Sequence, residues 1–102
     1  MEVGYDMLIL VTYDVSTESS FGQKRLRKVA KLCQNYGIRV QNSVFECQID
    51  SAELVKLRHS LELVIDKEYD SLRFYNLGNN YKNKVIHIGT KPPFDMNEPL
   101  IL

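Results

Sequence analysis

Asp14 closes the most apolar run of the chain, Met7-Leu8-Ile9-Leu10-Val11-Thr12-Tyr13, and that setting separates it from the twelve other acidic residues. A strand that delivers one carboxylate to its C-terminal end offers a hard oxygen ligand. Such a ligand suits Mg2+ (or Mn2+), which is held by one or two carboxylates while waters and substrate phosphates complete the octahedron. One Asp14 binds such an ion weakly; in a two-fold dimer the same residue appears twice, and two copies facing each other across the axis supply the second carboxylate. The chemistry expected is phosphodiester hydrolysis, with the ion activating water and neutralising developing charge on the phosphate. The alternative for Asp14 is a turn or cap, because acids after strands often accept backbone hydrogen bonds.

Other residues near it carry a double reading too. Tyr13 is either a base or a half-buried aromatic, and Arg39 either holds a phosphate backbone or shields a sheet edge. Ser43 lacks the adjacent base a serine nucleophile needs, since neither His59 nor His87 sits in a triad arrangement. Cys33 and Cys47 form no CxxC pair and have no histidine at zinc-ligand spacing, so they read as buried free thiols.

The run that carries Asp14 is apolar on both faces of its period-two pattern, which predicts a central strand with helices on one side and another cover, a second copy for example, on the other. A polar loop follows, with Ser20 and Gln23 at capping-box spacing, and then a helix over residues 23–36 with Leu26, Val29, Ala30, Cys33 and Tyr36 inward and Gly37 as a left-handed stop. On its other face Lys24, Arg27, Lys28 and Lys31 fall within about a 100° arc, with Arg25 beside them and no acid in the helix. Five positive charges without local acids form either a solvated face or a nucleic-acid surface. Residues 38–49 are β-branched and aromatic around a polar centre at Gln41, Asn42 and Ser43, giving one bent strand or two short ones. Asp50 and Glu53 cap a second helix with Leu54, Leu57, Leu61 and Val64 inward, and strands are predicted over residues 71–77 and 84–89. Strand, helix, strand, helix, strand, strand fits an α+β fold, a ferredoxin-like two-layer sandwich with both helices on one face of an antiparallel sheet.

The 102 residues suffice for one domain, and 44% hydrophobic with 25% charged residues is ordinary for a globular protein. Thirteen basic residues balance thirteen acidic ones, so attraction to nucleic acid must come from a local patch. No stretch spans a membrane and the first six residues lack the pattern of a secretory signal, which makes the cytoplasm the expected location. The expected division is an N-terminal extension at 1–6, the ferredoxin-like domain at 7–90 and a tail at 91–102. The tail finishes Pro99-Leu100-Ile101-Leu102, apolar enough to dock on its own domain or on a partner sheet, exchanged in a dimer.

The motifs Leu8-Ile9-Leu10-Val11-Thr12-Tyr13-Asp14-Val15, Arg25-Leu26-Arg27-Lys28-Val29 and Tyr36-Gly37-Ile38-Arg39-Val40-Gln41-Asn42-Ser43-Val44-Phe45-Glu46-Cys47, in that order, resemble the Cas2 family of small CRISPR-associated adaptation proteins. The resemblance runs on through Asp70-Ser71-Leu72-Arg73-Phe74-Tyr75-Asn76-Leu77-Gly78 and the Pro-rich tail, and looks like the branch accompanying type I-C systems. It implies a homodimer that works with the CRISPR-associated integrase to capture DNA and insert new spacers. It also implies a metal-dependent endonuclease acting on RNA or double-stranded DNA, with Asp14 as the metal ligand. Tyr13, Arg39 and Phe45 match the other residues of the family's conserved segments. In the loop after Asp14 this chain has Ser16, Thr17, Glu18, Ser19 and Ser20 where some members carry arginines. The competing reading of the same resemblance is a noncatalytic DNA-binding scaffold that bridges integrase dimers.

Overall fold

A computed structural model describes residues 6–90, so the expected tail and all but Asp6 of the expected extension lie outside the described residues. The chain runs β1 (Met7–Asp14), α1 (Ser20–Gln34), β2 (Ile38–Gln41), β3 (Val44–Ile49), α2 (Ser51–Val64) and β4 (Ser71–Asn76). The four strands form one antiparallel sheet in the order β2-β3-β1-β4, which is the ferredoxin-like arrangement. β1 is central, as its two-faced apolar pattern predicts, with Ile9 opposite Cys47 on β3 and opposite Asn76 on β4.

Alternation along β1 decides what each residue faces. Ile9, Val11 and Tyr13 join Phe45, Cys47 and Ile49 from β3 in a core completed by Val29 and Cys33 of α1 and Leu57 and Leu61 of α2. Leu10, Thr12 and Asp14 therefore belong to the opposite face, where Leu10 and Thr12 remain half-buried in a single chain. Burial pushes both thiols up, to about 12 for Cys33 and about 12 for Cys47, which makes them inert core groups as the spacing implied.

Several local expectations change. Of the two alternatives for residues 38–49 the structure has two strands, because Asn42 and Ser43 make a turn, and the register shifts between Arg39 and Gln41 of β2. The α1 cap is Ser19, not Ser20: its Oγ accepts from the Gly22 amide at 3.2 Å, and the helix starts one residue earlier than the capping-box spacing implied. Gly37 does not end α1 in the left-handed region; positive φ is confined to Gly78 and Gly89 among the described residues. Gly37 is instead needed for close approach, since a Cβ there would collide with the Glu46 carbonyl and with Cys47 on β3. The second helix follows its pattern, with the Asp50 and Glu53 side chains each accepting from the other residue's backbone amide.

The strand expected over residues 84–89 is not formed. The described strands end at Asn76, and Val85, Ile86 and Ile88 are 40%, 82% and 89% exposed. Val85, Ile86 and Ile88 are apolar as the pattern implied, but a strand needs a ladder, and among the described residues no sheet edge pairs with this segment.

Candidate functional site

The sheet separates residues that sit side by side in sequence. Tyr13 points to the helices, 5% exposed, with its ring stacked on Phe45 at a centroid distance of 6.2 Å. The Arg39 guanidinium lies over the other aromatic partner at 5.2 Å from the Phe45 centroid. Tyr13 Oη donates to the Asn42 carbonyl at 3.3 Å, tying the end of β1 to the β2–β3 turn. Burial raises the Tyr13 pKa above its ordinary 10.0 despite the opposing pull of Arg39, so the phenol stays protonated through the neutral range. Three of the expected site residues thus form one cluster under the sheet, and Asp14 is not part of it.

Asp14 is exposed on the far face, at the end of β1, with Ser71 of β4 as its cross-strand neighbour. Its carboxylate makes no hydrogen bond or ion pair among the described residues, so the turn or cap role that competed for this residue is not what holds it. The role belongs to another acid. Asp70, whose carboxylate is fully buried, receives the Arg25 guanidinium at 2.7 Å, the Ser16 amide at 3.1 Å and the Asp66 amide at 2.8 Å. Burial alone would raise the Asp70 carboxyl, but the hydrogen bonds from Arg25, Asp66 and Ser16 outweigh it and hold the group below its ordinary value. This clasp joins the loop after Asp14, helix α1 and the loop into β4.

Arg25 must accordingly be removed from the five charges expected to lack acidic partners. Its neighbours Lys24, Arg27, Lys28 and Lys31 are exposed and make no ion pair among the described residues. They lie on the outer side of α1, and α1 packs on the sheet face opposite Asp14. The basic face, Asp14 and the residue 39–46 segment therefore do not converge on one surface of a single chain.

Two residues on the Asp14 face were not singled out from sequence. Ser71 is opposite Asp14, and Arg73 is opposite Thr12, one strand repeat (roughly 7 Å) along the same face. Arg73 is exposed, with its guanidinium 5.4 Å from the Tyr75 ring centroid. Alternation in Ser71-Leu72-Arg73-Phe74-Tyr75 was the available signal: Leu72 and Phe74 pack toward the core, so the odd positions share the Asp14 face.

The surroundings of Asp14 fit half of a Mg2+ site. An exposed carboxylate without competing hydrogen bonds is free to bind a hydrated ion, while no group of three or more His, Cys, Asp or Glu suited to a metal occurs among the described residues. No helix among the described residues is long and apolar enough to cross a membrane.

Comparison with known proteins places these features. Residues 7–85 match the family model described as CRISPR associated protein Cas2. The chain is 65% identical over 95 residues to the CRISPR-associated endonuclease Cas2 of Halalkalibacterium halodurans, covering 93% of this chain and 99% of that protein. It is 58% identical over 96 residues to the CRISPR-associated endoribonuclease Cas2 of Nitratidesulfovibrio vulgaris, with 94% of each chain covered. Its backbone superposes on the crystal structure of Streptococcus pyogenes Cas2 at pH 6.5 with a TM-score of 0.72 and 57% identity, over 81% of this chain and 100% of that one.

Proposed function

This chain belongs to the Cas2 family, and from that premise we propose that it is a metal-dependent endonuclease cleaving RNA or double-stranded DNA as a homodimer. The observation that carries the reading is Asp14: a strand-end carboxylate, exposed, without an internal partner among the described residues, on the sheet face away from the two helices. Two copies packed by this face bring two Asp14 carboxylates together, and they would hold Mg2+ (or Mn2+). The bound ion would supply an activated water and charge neutralisation at the phosphate. Arg73, on the same face, is placed to bind a phosphate oxygen and hold the strand against the carboxylates. Tyr13, Phe45 and Arg39 act from beneath, by fixing the end of β1 and the β2–β3 turn.

The homodimer also accounts for the exposed segment Val85, Ile86 and Ile88. Added as a strand to an edge of the partner's sheet, it would gain the ladder it lacks within its own chain. In the cell we assign the dimer to spacer acquisition with the CRISPR-associated integrase, in the cytoplasm, with the tail at 91–102 docking on the partner protomer or on the integrase.

The deciding experiment compares wild type with Asp14→Ala on labelled RNA and duplex DNA, with Mg2+ or with chelator. Cleavage should need the ion and fall at least about 100-fold in the variant, a loss of ~2.7 kcal/mol in transition-state stabilisation. Equal cleavage by both proteins would remove Asp14 from the chemistry.

A second reading has its own observation. Lys24, Arg27, Lys28 and Lys31 lie unpaired, among the described residues, on the opposite side from Asp14, so holding nucleic acid does not require cutting it. As a noncatalytic scaffold bridging integrase dimers, the protein would support spacer acquisition after Asp14→Ala but not after joint neutralisation of the four cations.

A further inference from the structure

A groove of about 760 Å³ opens between the N-terminal turns of α1, the C-terminal end of α2 and the loop into β4. Around it stand Phe21, Leu63 and Tyr69, which are 70%, 74% and 67% exposed, together with Lys24 and Lys28. Single exposed apolar residues are ordinary on a protein surface, but two aromatic rings and a leucine around one groove, beside two lysines without an ion pair among the described residues, form a patch with a chemistry. The rings offer flat apolar faces; the lysines offer positive charge and continue along α1 into Arg27 and Lys31.

We propose that this groove binds an unpaired nucleotide, its base stacked on Phe21 or Tyr69 and its phosphate held by Lys24 and Lys28. The proposal deepens the nucleic-acid reading above and rests on it. Stacking on a protein ring needs a base whose face is free, which a duplex interior does not offer and a single strand does. The groove is roomy enough for such a group. Glu18 and Asp66 also line it, and Asp66 accepts the Glu68 amide at 3.0 Å. Their charge repels a phosphate from that side and leaves the Lys24 and Lys28 wall as the place for the backbone. Arg25 lines the groove as well but is held by Asp70. The site owes nothing to Asp14, which is on the other face of the sheet.

Binding of three fluorescent probes to the full chain tests this: an oligothymidylate, an abasic oligomer with the same backbone, and a blunt duplex of the same length. The oligothymidylate should bind roughly tenfold or more tightly than the abasic strand. The double variant Phe21→Ala with Tyr69→Ala should remove most of that gain, and at least one of the two single variants should do so alone, while Phe21→Trp keeps it and blunt-duplex affinity stays unchanged throughout. Both side chains are exposed, so neither variant threatens folding; circular dichroism checks this. Equal affinity for the thymidine and abasic strands overturns the proposal, as does equal weakening of all three probes. Salt-dependent duplex binding in the same experiment would then leave the nucleic-acid function standing, whereas no binding of any probe would remove both. Should the alanine variants keep every oligonucleotide affinity and instead lose assembly with a protein partner, the groove is a protein-docking surface and the proposal fails.

Discussion

Asp14 and Asp70 are both single acids beside strands, and the structure gives them opposite surroundings. Asp70 accepts Arg25, Ser16 and Asp66 in a fully buried site, whereas Asp14 accepts no bond among the described residues. Asp70→Asn should therefore lower Tm by more than about 5 °C, since it strips the charge that Arg25 faces, and thermal melts would show it. The pH dependence has a definite sign. The folded Asp70 pKa is depressed, so its contribution is complete above the unfolded value near 3.8 and is lost as pH falls through the lower folded value. Acid unfolding of wild type should thus steepen below about pH 4, and Asp70→Asn should flatten that part of the curve. Asp14→Ala, by contrast, should leave Tm nearly unchanged. Tyr13→Phe removes the bond to the Asn42 carbonyl, costs about 1 kcal/mol of stability and should preserve the pH profile of cleavage, because the raised phenol does not titrate in the neutral range. The sequence showed Asp14 through its isolation at the end of an apolar run. It did not show Asp70 as a buried acid, because the three groups that satisfy it come from positions 16, 25 and 66, and only the fold brings them together.

At the scale of elements, helix α1 has two jobs that its sequence displays and one that it conceals. The inward face with Val29 and Cys33 and the outward cations follow from helical periodicity. The anchoring of Arg25 depends on a partner 45 residues away and has no local signature. Neutralising Lys24, Arg27, Lys28 and Lys31 together should weaken duplex binding and flatten the log–log salt dependence by up to roughly 3.6, about 0.9 for each lost phosphate contact, measured by anisotropy over a salt series. Asp14-dependent metal binding should survive that change, because the two surfaces are on opposite sides of the sheet. The turn from α1 into β2 supplies a stability test: Gly37→Ala drives a methyl into the Glu46 carbonyl and Cys47 and should cost roughly 1–3 kcal/mol. Its position directly after the helical pattern reads Gly37 as a left-handed helix stop. A glycine needed for left-handed backbone and one needed for close approach look identical in a single sequence.

Among the described residues the two faces of the sheet differ across the whole molecule. Helices α1 and α2 cover one sheet face, while the other exposes Tyr75 and Asp14 and leaves Leu10 and Thr12 half-buried. The ferredoxin-like class, both helices and the central placement of β1 were legible because hydrophobic period separates strands from helices locally, whereas the expected order of strand, helix, strand, helix, strand, strand gives way to βαββαβ. The fate of residues 84–89 was not legible: Val85, Ile86 and Ile88 have strand chemistry, but pairing is a property of the neighbour, and no described strand pairs with them. The candidate site shares that character. In the proposed function Asp14 would supply half of a metal site and a second copy the rest. Titration of the dimer with Mn2+, followed by electron paramagnetic resonance, tests this most directly. The account predicts one tightly bound ion for every two chains in the wild type and none in Asp14→Asn. One ion per chain, or an unchanged stoichiometry in the variant, would contradict it.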